Sequence, residues 1–193
     1  SVEGIGGALN GFTSEEFTCY LVKIPAVYLE QAVDILSDMV LNPLLNQEDI
    51  NKERTVILEE IKMYRDLPQS YVHELLDELL WPGQPLGNAV IGSEASVVAM
   101  NRSDLLGFKQ SYYVPANIVV SACGNFKFEK LSKLVAERFG KSSPGVKSRF
   151  EPALKVGGPH LNAFDKPTEQ THLALGVHSF CRDDARRYAL ALL

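Results

Sequence analysis

Apolar residues recur with the spacing of an amphipathic helix along most of this chain, and the longest such stretch covers residues 46–66. At about 100° per residue, one face of this predicted helix carries the large side chains of Ile50, Ile57, Ile61 and Tyr64. The same spacing predicts further helices over residues 26–41, 70–81, 103–112 and 128–139, and the start of another after Asp183. The pattern therefore predicts a helix-rich chain in which residues 46–66 form the central element.

Two other patterns predict β-strands. Apolar and polar residues alternate over residues 17–24 and again over residues 170–180, as they do in a strand. Residues 117–122 form a short, continuous apolar run that is typical of a buried central strand. The dipeptide Asn10-Gly11 favours a tight turn or a bulge. Helices mixed with strands that return in antiparallel order predict the α+β class, with an antiparallel or mixed sheet covered by helices.

A change of composition suggests where the chain divides into domains. Residues 140–158 are rich in Lys, Ser, Pro and Gly and lack periodicity, which is typical of a linker. We expect a first α+β unit over residues 1–145, a linker over residues 146–160, and the start of a second α+β unit over residues 161–193. Because the chain begins without an initiator Met and its last residues resemble an interrupted helix, we expect a piece of a longer protein.

Composition and charge narrow the range of partners. A net charge of −5 and a pI near 5.4 argue against nucleic acid or an anionic membrane as the main partner. Three cysteines without CxxC spacing indicate neither a disulfide framework nor a thiolate zinc cluster, so a reducing compartment is favoured, either cytoplasm or mitochondrial matrix. No apolar run reaches the length of about 18 residues that a membrane-spanning helix needs. We therefore predict a soluble protein.

Two carboxylates lie at the edge of the apolar face of the predicted helix over residues 46–66. Glu53 and Glu60 have this position, whereas Glu59 points to the far side. A carboxylate turned toward a core must be paired, protonated or bound to a metal, because removing an unpaired charge from water is costly. One interpretation is that Glu53 and Glu60 form ion pairs with Arg54, Lys62 or another basic side chain. The other is a ligand or catalytic role.

The four histidines do not form a metal-binding pair, because none lies four residues from another. They are His73, His160, His172 and His178. His73 lies beside the apolar stripe of the helix predicted over residues 70–81. We interpret it as a surface histidine or as one with a satisfied hydrogen bond.

Five motifs occur in an order that is specific when they are taken together. They are GGALNGFTSEEFTCYLVKI, LEQAVDILSDMVLNP, INKERTVILEEIKMYRDLP, QPLGNAVIGSEASV and YYVPANIVVSACGNF. In order and spacing they resemble the pitrilysin/insulinase (inverzincin) family of zinc metallopeptidases, and within it the branch of the mitochondrial processing peptidases and their bacterial relatives. The resemblance covers residues 4–193 and implies a metallopeptidase half-unit of the pitrilysin type.

The resemblance also implies a zinc site. Family members bind zinc through an HxxEH motif on one helix and a glutamate on a later helix. The later glutamate matches Glu60, which would be the third zinc ligand, and Glu53 matches a supporting carboxylate that orients the site. Seven residues of helix rise by about 10 Å, so both carboxylates are not expected to touch one metal ion.

No HxxEH motif is present in the 193 residues, and the family's spacing places it upstream of Ser1. We therefore expect this chain alone to be inactive and to bind no zinc. The parent protein would be a zinc metalloendopeptidase that cleaves extended peptides or presequences, with a zinc-activated water and the glutamate of the motif as general base.

Substrate handling follows by the same resemblance. The segment from Ala8 to Thr13 matches the edge strand along which family members hold an extended peptide, so Asn10, Gly11, Phe12 and Thr13 are candidate substrate contacts. A purely structural hairpin is the alternative. The implied partners are a peptide substrate and either the remaining half of the parent chain or a homologous subunit. The alternative function is a non-catalytic partner or scaffold subunit of the same family, which would also lack HxxEH in the parent.

Overall fold

Helices dominate the computed structural model of the protein, which describes residues 2–140 and 144–192. The strands and α-helices are β1 (Ala8–Thr13), β2 (Thr18–Lys23), α1 (Leu29–Leu41), α2 (Gln47–Asp66), α3 (Pro68–Leu80), α4 (Glu94–Ala99), α5 (Arg102–Tyr112), α6 (Phe128–Phe139) and α7 (Arg187–Leu190). Short 3-10 turns cover Glu3–Ile5, Ala26–Tyr28, Pro85–Gly87 and Pro115–Asn117. The predicted α+β class is confirmed, although the sheet is small.

The helix boundaries follow local signals in the sequence. Helix α1 ends at Leu41, just before Asn42 and Pro43. Helix α2 ends at Asp66, and α3 begins at Pro68 after the single residue Leu67. Asn101 caps α5, because its Oδ1 accepts the Ser103 N–H at 2.9 Å and its own N–H donates to Asp104 Oδ2 at 2.9 Å. Within the part of the chain that the structure describes, none of the helices combines the length and apolar character needed to cross a bilayer.

Strands β1 and β2 form an antiparallel hairpin whose register runs from Ala8 opposite Lys23 to Thr13 opposite Thr18. The chain reverses after Ser14, whose N–H donates to the Phe17 carbonyl at 2.9 Å. The turn or bulge predicted at Asn10-Gly11 is therefore wrong. Gly11 lies within β1, where an added Cβ would lie 3.3 Å from the Cys19 carbonyl oxygen and in ordinary contact with the Tyr20 ring, 3.6 Å from Cδ1. The tight neighbour is thus the backbone of β2, and the glycine is not needed for a reversal of the chain.

Two other predicted strands have no ladder partner among residues 2–140 and 144–192, so those predictions are wrong. Residues 117–122 are irregular and Val119 is 91% exposed. Residues 171–178 keep the alternation of a strand. Gly176 packs against Leu76 and Leu80 of α3, while the side chains of Leu173, Leu175 and Val177 are 82–89% exposed. Alternation predicts which side chains share a face, but a strand also needs a neighbour for its backbone.

Helix α7 begins later than predicted, at Arg187, because residues 182–185 form turns. Asp184 accepts hydrogen bonds from the N–H and the guanidinium of Arg186, both at 2.9 Å from Oδ1. These local bonds hold the segment in a turn. The three cysteines are free thiols.

Internal contacts divide the chain into two compact units, Ser1–Val56 with Ala95–Phe150 and Ile57–Glu94 with Glu151–Leu193. In the first unit, Val2, Ala32 and Val97 are buried apolar residues. In the second unit, Ile61 of α2 is 3% exposed. The α+β units over residues 1–145 and 161–193, with a linker over residues 146–160, stay a prediction.

Candidate functional site

Both candidate carboxylates of α2 are exposed, so the prediction that they turn toward a core is wrong. Ile61, the residue that follows Glu60, is almost completely buried. Because each residue of a helix is rotated by about 100° from the one before, the burial of Ile61 is compatible with a solvent-exposed Glu60. Glu53 is likewise exposed. The edge of the apolar face is thus open to solvent.

The basic side chains that were candidates for ion pairs have other partners. Lys62 Nζ lies 2.7 Å from Glu59 Oε1, and this hydrogen bond raises the pKa of Lys62. The Arg54 guanidinium donates to the carbonyl oxygens of Val97, at 3.2 Å, and Met100, at 2.8 Å. It therefore holds the end of α4, where free carbonyls need donors.

The ion pairs predicted for Glu53 and Glu60 are accordingly absent from the described part of the chain. Across that part, neither carboxylate has a hydrogen bond or an ion pair. The adjacent residues Glu59 and Glu60 differ in this respect, because Glu59 is paired with Lys62 and Glu60 is unpaired. Both side chains are exposed, so this contrast concerns their partners and not the directions that the helical pattern predicts.

The side chains present do not make a zinc site by themselves. Residues 2–140 and 144–192 contain no group of three or more His, Cys, Asp or Glu side chains placed to hold a metal ion. His73 is exposed on α3, as predicted. A ring nitrogen of His160 lies 3.1 Å from the Gly157 carbonyl, and the His178 ring packs edge-on against Trp81 with centroids 4.4 Å apart. A single carboxylate from α2 does not satisfy tetrahedral zinc.

The second candidate feature is the edge of β1, where all six residues are exposed. Ser14 and Phe17 are opposite each other and hydrogen-bonded. Because hydrogen-bonded and non-hydrogen-bonded pairs alternate along an antiparallel ladder, every second pair from there is also hydrogen-bonded. These pairs are Phe12 with Cys19 and Asn10 with Leu21. The pair between them, Thr13 with Thr18, has its side-chain oxygens 3.3 Å apart, as suits a closely spaced, non-hydrogen-bonded pair.

This alternation fixes which backbone groups of β1 point away from β2. They are the N–H and C=O groups of Leu9, Gly11 and Thr13. Strand β2 is the one ladder partner of β1 among the residues that the structure describes, so the opposite edge is free. An edge of this kind can accept an extended peptide as a third strand.

Side chains next to this edge are aromatic. Phe12 is half exposed and meets Phe17 edge-on, with ring centroids 5.8 Å apart. On the other face, the Tyr20 hydroxyl lies 3.3 Å from the Tyr113 hydroxyl, and burial, followed by this hydrogen bond, raises the pKa of Tyr20 to about 12. The sequence pattern did not point to Tyr20, which is paired with Gly11 across the hairpin. The signal that could have found it is a glycine paired with a tyrosine across a hairpin.

One further contact lies on the free edge itself. The Gly11 N–H donates to the Asn10 side-chain oxygen at 2.8 Å. The structure places all four candidate substrate contacts on β1, namely Asn10, Gly11, Phe12 and Thr13. Two of these residues, Asn10 and Gly11, are hydrogen-bonded to each other.

Comparisons with known proteins give a consistent result. Residues 1–94 match the model of Insulinase (Peptidase family M16), and residues 99–193 match that of the Peptidase M16 inactive domain. An uncharacterized zinc protease of Mycobacterium leprae is 36% identical over 197 residues, which cover 100% of this chain and 44% of the relative. One from Bacillus subtilis is 33% identical over 200 residues, covering 100% of this chain and 47% of the relative.

A solved structure shares the fold. The crystal structure of a protease from Helicobacter pylori aligns with a TM-score of 0.71 and 20% identity, over 80% of this chain and 37% of that chain. At this level of identity the likeness concerns the fold alone. The chain spans less than half the length of the curated relatives it matches.

Proposed function

Because this chain belongs to the insulinase family of peptidases, family M16, we propose that it forms part of a zinc metalloendopeptidase that cleaves extended peptides or presequences. The names of its relatives as zinc proteases support this function. Since the chain spans less than half of those relatives, the activity is proposed for a longer protein that contains it, of the mitochondrial-processing-peptidase type. We propose that the chain alone is inactive.

The observation that carries the proposal is the contrast between Glu59 and Glu60. Glu59 is paired with Lys62, whereas Glu60 is exposed and has no partner among the described residues. An unpaired carboxylate on a helix is available to a metal ion. In our proposal Glu60 is one zinc ligand and the remaining ligands come from outside this sequence. Glu53 is a supporting carboxylate.

The substrate would bind to the free edge of β1. An extended peptide added there would bond to the outward backbone groups of Leu9, Gly11 and Thr13, and its side chains would lie beside Asn10 and Phe12. Backbone pairing of this kind reads little sequence. Selectivity would therefore come from side-chain pockets and from the rest of the longer protein.

Proteolysis by the longer protein tests the function. The substrate is a reduced and alkylated unfolded protein such as α-lactalbumin, with its native form as the control. We expect cleavage of the unfolded form, loss of cleavage with a zinc chelator, and recovery when zinc is restored. A zinc-treated, correctly folded protein that cleaves neither form would contradict the proposal.

A second candidate is a non-catalytic partner or scaffold subunit. It is supported by the match of residues 99–193 to the model of the Peptidase M16 inactive domain. In that case the protein would bind the unfolded substrate, or complete the chamber of a homologous subunit, without cleaving anything. Its partners would be that subunit or the remaining half of its own chain. The free thiols suit the reducing compartment, cytoplasm or mitochondrial matrix, that we propose for either function.

A further inference from the structure

The free edge of β1 already carries a hydrogen bond at its centre. Of the three outward donors, the N–H groups of Leu9, Gly11 and Thr13, the middle one donates to Asn10 Oδ1 at 2.8 Å. Asn side chains bond readily to nearby backbone groups and so compete with regular ladders. The contact therefore occupies the position where a third strand would place its carbonyl oxygen.

We propose that Asn10 is a displaceable cap on the peptide-binding edge, a contact that the incoming peptide must break. The inference rests on the proposed function, because it concerns the same edge of β1. When a peptide pairs with β1, its carbonyl replaces Asn10 Oδ1 on the Gly11 N–H. The Asn10 side chain is then released to solvent, which it can reach because the residue is exposed.

The cap makes binding depend on the length of the peptide. A guest that pairs with Gly11 alone exchanges one hydrogen bond for another and gains little. A guest that extends from Leu9 to Thr13, a span of about five residues, gains the bonds at both ends as well. The cap would thus exclude very short peptides and hinder chance pairing with other strand edges, which is a hazard of any free edge.

Two substitutions separate a cap from a residue that holds the peptide. Asn10→Ala removes the competing acceptor, so we expect peptide affinity to rise roughly threefold to tenfold, the effect of one net hydrogen bond. Asn10→Asp keeps an acceptor of the same shape and adds a charge, which strengthens its bond to an N–H. We expect this variant to bind the peptide more weakly than the natural protein does.

The experiment uses the longer protein with a zinc chelator present, so that the peptide is bound and not cleaved. The probe is a fluorescein-labelled peptide of 12 residues containing Thr, Val and Lys, and its binding is followed by anisotropy. A matched peptide with consecutive backbone amides methylated lacks donors on both of its edges, so it cannot pair with β1 in either orientation and serves as the control. Hydrogen exchange with residue-level fragmentation measures the Gly11 amide, with Leu9 and Thr13 as references on the same edge.

The expected result has two parts. The Gly11 amide exchanges faster in Asn10→Ala than in the natural protein and stays protected in Asn10→Asp, and peptide affinity follows the order Ala, Asn, Asp. Unchanged exchange at Gly11 in Asn10→Ala would overturn the cap even if the peptide still binds. Equal or weaker binding by Asn10→Ala would also overturn it, because Asn10 would then be neutral or would hold the guest.

Failure of the proposed function has a different signature. In that case the Gly11 amide would lose protection in Asn10→Ala, yet no form of the protein would prefer the unmethylated peptide over the methylated one. This result would overturn both the peptide-binding edge and the displacement that we propose for it. The Asn10–Gly11 contact would then be a structural feature of the hairpin alone.

Discussion

The free edge of β1 and the exposed side of α2 that carries Glu60 are both open to solvent, but they differ in how many elements of the chain each one needs. The edge of β1 is set by a hairpin whose two strands are joined by Ser14–Phe17, so its donors and acceptors need no distant residue. The α2 side offers the unpaired carboxylates of Glu53 and Glu60, and the residues described contain no group of three His, Cys, Asp or Glu side chains placed to hold a metal ion. A peptide edge can form from neighbours in sequence, whereas a metal site needs ligands from several elements.

The largest effect is expected from a proline on the free edge. Thr13→Pro removes an outward N–H and places a ring against the guest strand, so we expect peptide affinity to fall about tenfold or more. The β1–β2 ladder keeps its bonds, because Thr13 lies in a non-hydrogen-bonded pair. Anisotropy with the labelled peptide measures the affinity, and circular dichroism shows whether the fold is kept.

A second proline variant checks which backbone N–H groups of β1 point toward β2 and which point away from it. Phe12→Pro removes an N–H that points toward β2, so it should lower the melting temperature much more than Thr13→Pro does. If the two variants destabilise the protein equally, the assignment of inward and outward groups on β1 is wrong.

The next prediction compares peptide binding at the edge of β1 with zinc binding at the α2 side in one protein sample. The 193-residue chain on its own should bind the labelled peptide but no zinc tighter than about 1 micromolar, because one carboxylate is a poor zinc site. Titration calorimetry with zinc, followed by anisotropy with the peptide, measures both. Tight zinc binding by this chain would contradict the claim that its metal site is incomplete.

A smaller effect is expected behind the edge, at Tyr20. The pKa of Tyr20 is raised to about 12 in the folded protein, above its ordinary value near 10, so its contribution to stability is complete below about pH 10. That contribution is lost as the pH rises through about 12. Because Tyr20 is 37% exposed, we expect only about 1 kcal/mol.

Chemical unfolding at several pH values tests this prediction. Tyr20→Phe should remove part of the fall in stability between about pH 10 and 12, and should also lose the hydrogen bond to Tyr113 at neutral pH. A matched variant, Tyr112→Phe, changes a tyrosine for which no such bond to Tyr113 is present. If the two variants have the same pH dependence, Tyr20 is not responsible for the effect.

The smallest effect is expected on the far side of α2. Glu59→Gln breaks the ion pair with Lys62, but both side chains are well exposed and the pair is screened by solvent. We expect no measurable change in melting temperature, zinc content or peptide binding. A loss of zinc in this variant would mean that the roles of Glu59 and Glu60 have been confused.

The five longer helices, α1, α2, α3, α5 and α6, could be predicted from the sequence because their periodicity is local, whereas the six-residue α4 was not predicted. The prediction over residues 128–139 matches the bounds of α6, Phe128–Phe139. The hairpin strand β2 was predicted for the same reason. Residues 117–122 and 170–180 were not predicted correctly, because a strand depends on a partner whose position the local pattern does not contain.

The candidate site shows the same limit at the level of side chains. The helical pattern separated Glu59 from Glu60, but it did not predict that Arg54 holds the end of α4 or that Lys62 pairs with Glu59. These partners depend on which elements pack next to α2. The hydrogen bond from the Gly11 N–H to Asn10 requires that this N–H points away from β2. Which N–H groups of β1 do so depends on which residue pairs of the ladder are hydrogen-bonded, and only the structure shows this.

The zinc content of the longer protein shows whether Glu60 is a zinc ligand. Metal analysis of the purified natural protein, Glu60→Gln and Glu59→Gln compares two adjacent glutamates on one helix. We predict about one zinc per chain in the natural protein and in Glu59→Gln, and less than about a tenth of that in Glu60→Gln, with circular dichroism unchanged in all three. Full zinc retention by Glu60→Gln would mean that Glu60 is not a zinc ligand.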